Sequence, residues 1–158
     1  MGLALLLAIA AVVMSVIKWS APAPVATTTT MTAAPAGPAY TAQQVAAAKK
    51  EACDASALSD VPITTAQLNF VATVGERGSD RYRQMLSNLQ TVVMVETEYV
   101  RSHVAPATPK DVADAINDDI NALITLVEAN TREVADAEAN QLIESVKRAG
   151  ERVAKVCD

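Results

Sequence analysis

From residue 41 to residue 157, apolar side chains recur with the period of a helix. Tyr82, Met85, Leu86, Leu89, Val92, Val93 and Tyr99 fall at three- and four-residue steps and predict one amphipathic helix from Ser79 to about Ser102. Val112, Ile116, Ile120, Leu123, Ile124 and Val127 form a second stripe. Ala135, Ala139, Leu142, Val146, Ala149, Val153 and Val156 form a third, at alternating steps of four and three. That heptad spacing calls for a helical partner along its whole length. Upstream, Thr41-Ala42-Gln43-Gln44 has the form of a capping box and opens an Ala-rich helix. Ser59, Asp60 and Pro62 are expected to interrupt that helix, with Thr64-Thr65-Ala66-Gln67 as the restart. Gly75 and Gly78 end the region.

Two further punctuation points complete the pattern. Pro106 stops the second helix, and Thr108-Pro109-Lys110-Asp111 reads as a start: a cap, a proline in the first turn and an early acid. Asn130-Thr131-Arg132-Glu133 is the one turn candidate between the last two stripes, and it lacks Gly and Pro. Without a turn there, residues 108–157 would be a single helix about 75 Å long.

The cysteines decide between these. Cys53 and Cys157 are the only two in the chain. Segments 53–75, 79–101, 108–130 and 133–157 each span close to 35 Å at helical rise. Folded up and down, they return residue 157 to the level of residue 53, where a bridge needs Cα atoms within about 7 Å. A single helix from 108 would overshoot by tens of ångströms. The reading is an all-α, up-and-down four-helix bundle, its first helix interrupted near Pro62, closed by a Cys53–Cys157 disulfide. The alternative is two free thiols in a reducing compartment.

Before the bundle lie two segments without its periodicity. Residues 2–17, GLALLLAIAAVVMSVI, are almost wholly apolar. No Lys or Arg precedes them, as a secretory signal requires. The best small-x-small site, Ala21-Pro22-Ala23, is followed by Pro24, which blocks cleavage there. Residues 1–19 are therefore expected to be a retained transmembrane anchor, with Trp19 at the interface and Lys18 snorkelling outward. The alternative is cleavage and secretion, and a start codon placed too far downstream would also have removed basic residues. Residues 20–39, SAPAPVATTTTMTAAPAGPA, carry prolines at 22, 24, 35 and 38. They are expected to be a disordered, partly polyproline-like stalk reaching roughly 60 Å extended or about 25 Å as a coil. Thr27, Thr28, Thr29, Thr30 and Thr32 are candidates for O-glycosylation outside the cell, against a plain spacer. Positive-inside charge on Lys18 alone would favour the opposite orientation. The Pro/Thr stretch and the paired cysteines outweigh it.

Charge narrows the partners. Residues 40–158 hold all 18 acidic residues and 12 of the 13 basic ones, a net −6. A body of that sign does not displace phosphate counterions, which excludes non-specific nucleic-acid binding. Five aromatic residues among 158, with Ala and Val dominant, suit closely packed helices and not a sandwich or barrel. Arg77, Arg81 and Arg83 cluster in GERGSDRYR, and Lys49-Lys50 stand near the first helix start. They are read as solubility and dipole balance, or as a docking patch for anionic lipid or an acidic partner.

Catalytic patterns are thin. His103, the sole histidine, sits in the RSHVAPATP turn next to Ser102 and reads as a surface or capping residue. One histidine and two bridged cysteines assemble no zinc set. Asp118-Asp119 lacks calcium-loop spacing and is read as a solvated helix face; Glu96 and Glu98 flank Thr97 and point apart. No cofactor or metal is expected, and the chain is not read as an enzyme.

Tyr40-Thr41 followed by VAAAKKEACDA, then HVAPATPKDVADAI, then RVAKVC, resemble a group of alanine/proline-rich, single-pass membrane proteins of mycobacteria and related actinobacteria. The likeness implies a cell-envelope location and no assigned activity. The expectation is a membrane-tethered, extracytoplasmic module that acts by interaction with another envelope protein. The alternative is a carrier holding a small ligand or lipid between its helices.

Overall fold

The computed structural model describes residues 39–158, which belong to one compact unit, Pro38–Asp158. The expected anchor, its flanking Lys18 and Trp19, and the stalk with Thr27 to Thr30 and Thr32 lie outside the described residues. Four helices account for the fold: α1 Ala42–Val71, α2 Asp80–Ser102, α3 Lys110–Thr131 and α4 Asp136–Cys157, with one 3-10 turn at Val74–Glu76. There is no strand among the described residues.

α1 starts where the capping box places it. The Thr41 hydroxyl accepts from the Gln44 amide at 3.2 Å, and Gln44 Oε1 accepts from the Thr41 amide at 2.9 Å. The expected break at Pro62 does not occur: α1 runs 30 residues through it. Proline removes the N–H that would reach the Leu58 carbonyl, a cost of about 3 kcal/mol in a helix interior. Packing outweighs it. Ala48, Ala52, Ala55 and Ser59 before the proline, and Ile63, Ala66 and Phe70 after it, are all buried on one face. The Thr65 hydroxyl donates back to the Val61 carbonyl at 2.8 Å instead of capping a new helix.

The turns differ in chemistry. Gly78, at φ +85°, takes the left-handed position before α2, and the Ser79 hydroxyl then accepts from the Tyr82 amide at 3.0 Å. At α3, Pro109 and not Thr108 is the N-cap, and no side chain caps it. The Thr108 hydroxyl is buried without a hydrogen-bond partner. After α3 the Val134 amide reaches the Ala129 carbonyl and the Glu133 amide the Asn130 carbonyl, a Schellman closure. Its left-handed position, φ 51°, is held by Glu133 where glycine is usual. A left-handed non-glycine residue costs about 1–2 kcal/mol. Glu133→Gly is therefore expected to raise stability by roughly 1 kcal/mol in urea melts; an unchanged or lower midpoint would show that the Glu133 side chain offsets the backbone cost.

α1 and α2 form one antiparallel hairpin and α3 and α4 another, joined mainly through α2 and α3. The core has two layers. Ile63, Phe70, Tyr82, Leu89, Val93 and Leu123 fill one; Ala52, Val100, Val112, Ile116, Ile120 and Val153 fill the other. The second layer is closed by Cys53–Cys157, whose Cα atoms are 5.7 Å apart across 104 residues of chain. The four-helix bundle and the disulfide of the sequence reading are both present.

Candidate functional site

α1 and α4 touch lightly, and only part of α4 is packed. Of its heptad positions, Ala149 and Val153 are buried, while Ala139, Leu142 and Val146 are half-exposed. Facing the second half of α1, α4 presents Ala139, Ile143 and Val146, none of them buried. A slot of about 650 Å³ remains between the two helices. Leu68, Val71 and Val74 form one wall; Ala139, Ile143 and Val146 form the other. The floor is the Phe70–Tyr82 ring pair, centroids 5.4 Å apart, with Leu89 and Leu126. Leu68 is 65% exposed and Ile143 43%. At the far end the walls are tied by an ion pair: Arg77 Nη2 donates to Asp136 Oδ1 at 2.7 Å, with Glu133 beside them on the slot's lining.

The predicted basic residues are not brought together. Lys49 and Lys50 lie on the second and third turns of α1, and Arg77, Arg81 and Arg83 lie around its other end, about 30 Å along the axis. Most are neutralised locally. Lys50 pairs with Asp54 at 2.5 Å, Arg77 with Asp136, Arg81 with Glu76 at 3.0 Å, and Arg83 with Asp80. A third basic group, absent from the sequence reading, is the stripe Arg148, Arg152 and Lys155 on the outside of α4, where Arg152 pairs with Asp118 at 3.2 Å. Steps of four and three were its only signal.

Ser102 and His103 form a helix terminus. His103 is the C-cap of α2, its Nδ1 donates to the Tyr99 carbonyl at 2.8 Å, and the Ser102 hydroxyl donates to the same oxygen at 2.7 Å. Glu96 does not face solvent freely: its Oε2 accepts from the buried Ser59 hydroxyl at 3.0 Å and stitches α2 to α1. Among the described residues no three His, Cys, Asp or Glu side chains stand where they would hold a metal ion.

Asp119 departs from its expected place on a solvated face. It is partly buried between α3 and its neighbours, and burial, then the Asp60 carboxylate, push its carboxyl up to about 6 against the pull of Arg152. The folded protein holds this proton more tightly than the unfolded chain, whose value is 3.8. Stability from this group is therefore complete below pH 3.8 and is lost as pH rises through about 6. Asp119→Asn should flatten the pH dependence of the melting temperature between about pH 4 and 6 and raise it at pH 7.5. A variant less stable than the parent at pH 7.5 would mean that the ionised carboxylate is held favourably by Arg152.

Comparison with protein-family models, with curated proteins and with solved structures found no match to this chain.

Proposed function

We propose that the chain is a membrane-tethered helical module of the cell envelope, its bundle outside the cytoplasm, that works by binding another envelope protein. The observation that carries this reading is the Cys53–Cys157 disulfide, since such bridges persist in oxidising compartments. The apolar residues 2–17 and the Pro/Thr segment after them supply an anchor and a spacer, in keeping with the alanine/proline-rich membrane proteins the sequence resembles. No helix among the described residues is long and apolar enough to cross a membrane, so the tether rests on the segment before them. For contact with a partner, the outer side of α1 offers Leu58 and Val61, exposed at a step of three on one side of the helix. The basic residues, split between the two ends of α1, supplement that face and do not form one patch.

Location has a direct test. Full-length protein is expected to stay with membranes through carbonate extraction and to keep its first residues on N-terminal sequencing. A new N-terminus between Ser20 and Tyr40, with protein free in the medium, would make it a secreted protein and remove the tether.

The slot between α1 and α4 favours a second reading, a carrier for a lipid or small apolar ligand, because its volume lies in the range of ligand pockets. Lipid found by mass spectrometry on protein taken from the native envelope supports the carrier; a co-purifying protein supports the interaction module.

A further inference from the structure

We infer that the slot between α1 and α4 binds a single-chain phospholipid, with its chain against Leu68, Val71 and Ile143 and a zwitterionic phosphate–ammonium head at Arg77, Glu133 and Asp136. This deepens the carrier reading and rests on it; the tether does not enter.

Dimensions select the chain. On α4 the slot runs from Asp136 to Val146, ten residues or about 15 Å, and opposite it from Thr64 on α1 to Val74 in the 3-10 turn. A helix of that length with its side chains, 10–12 Å across, occupies roughly 1,200–1,700 Å³. The slot offers about 650 Å³. It is also bounded at both ends: α4 packs into the core from Ala149 onward, and the Arg77–Asp136 pair spans the walls at the other end. A partner helix would have to break the ion pair and still stand mostly outside. A flexible hydrocarbon chain fits within the bounds. Its carbons advance about 1.3 Å each for a C–C bond of about 1.5 Å, so about twelve of them fill 15 Å.

Charge selects the head. The slot's ionised lining residues are all at the ion-paired end, one cation and two carboxylates, and the remaining polar lining is amide or hydroxyl, such as Gln67, Asn130 and Asn140. A lone anion placed against Arg77 meets Glu133 and Asp136, and a lone cation meets Arg77. A head carrying both charges satisfies both: its phosphate takes Arg77, and its ammonium takes the carboxylates. Asp136 is 83% exposed in its side chain, free to turn from the guanidinium to the ammonium.

The test uses the full-length protein in its membrane. The probe is lysophosphatidylethanolamine with a photoactivatable diazirine in its acyl chain. Adducts are expected on residues 66–74 and 139–146, and Ala139→Trp, which fills the slot, should remove them. Val74→Trp serves as the second filling variant should the first unfold, with the disulfide and helix content as the check on folding. Unlabelled competitors of rising chain length should gain about fourfold per methylene and level off near twelve carbons, since each buried methylene contributes that factor. Arg77→Gln should weaken competition roughly two- to fivefold, as an exposed pair permits. Adducts only on residues 1–38, or adducts indifferent to both filling variants, overturn the site and the carrier reading together. Slot adducts competed equally by a fatty acid or an alkyl amine keep the carrier and overturn this ligand.

Discussion

Cys157→Ser is expected to lower the melting temperature by roughly 10–20 °C while leaving helix content at low temperature unchanged. The bridge closes a loop of 104 residues, worth about 4–5 kcal/mol in the chain-entropy model. For a domain of this size each kcal/mol moves the midpoint by several degrees. Helix content survives because the apolar stripes, and not the cross-link, hold each helix in place. The bridge also holds α1 and α4 together at the end of the bundle away from the slot. Thermal circular dichroism of oxidised parent and variant decides the first point, with alkylation before and after reduction confirming that the parent thiols are bridged. A variant that melts with the parent would mean the bridge constrains little in the unfolded chain.

Leu89→Ala is the second large effect, a loss of about 2–5 kcal/mol in urea unfolding. Leu89 is 1% exposed and packs in the layer of Ile63, Phe70, Tyr82 and Leu123, so truncation removes transfer energy and leaves a void. It stands about 20 Å along the bundle from the disulfide, in the other core layer. The two changes should therefore add to within about 0.5 kcal/mol. Total stability for a domain of this size is on the order of 6–18 kcal/mol, so the double variant should populate unfolded chain under mild conditions. Strong non-additivity would show that the two layers melt as one rigid block. A loss under about 1 kcal/mol would show that the slot beside Leu89 collapses into the space.

Much of this architecture is legible in local sequence, because local rules govern it. The stripe from Tyr82 to Val93 and the heptads of α4 mark their helices by spacing alone, and the Thr41–Gln44 box marks the start of α1. Even the pairing of Cys53 with Cys157 follows from four helices of similar length, since rise per residue is constant. Local reasoning fails where burial outweighs propensity. Pro62 looks like a break because its cost is written in the chain. The offsetting burial of Ile63, Ala66 and Phe70 depends on which neighbours lie across from them. Glu133 hides a Schellman turn because glycine, its usual sign, is missing. Asp119 reads as solvated because only packing brings Asp60 and Arg152 beside it.

The slot belongs wholly to the tertiary structure. Heptad spacing in α4 calls for a partner along the full helix, and nothing in that spacing says that packing stops near Val146. The gap lies where α1 and α4 touch lightly, between the packed end of α4 at Ala149 and Val153 and the Arg77–Asp136 ion pair. By itself the sequence determined the last three helices, their approximate lengths and the cross-link, all set by interactions along one helix or by rise per residue. Only the folded arrangement decided that the first helix continues, that the Asp119 carboxyl is partly buried, and that an apolar slot stays open, because each depends on the distance between surfaces far apart in the chain.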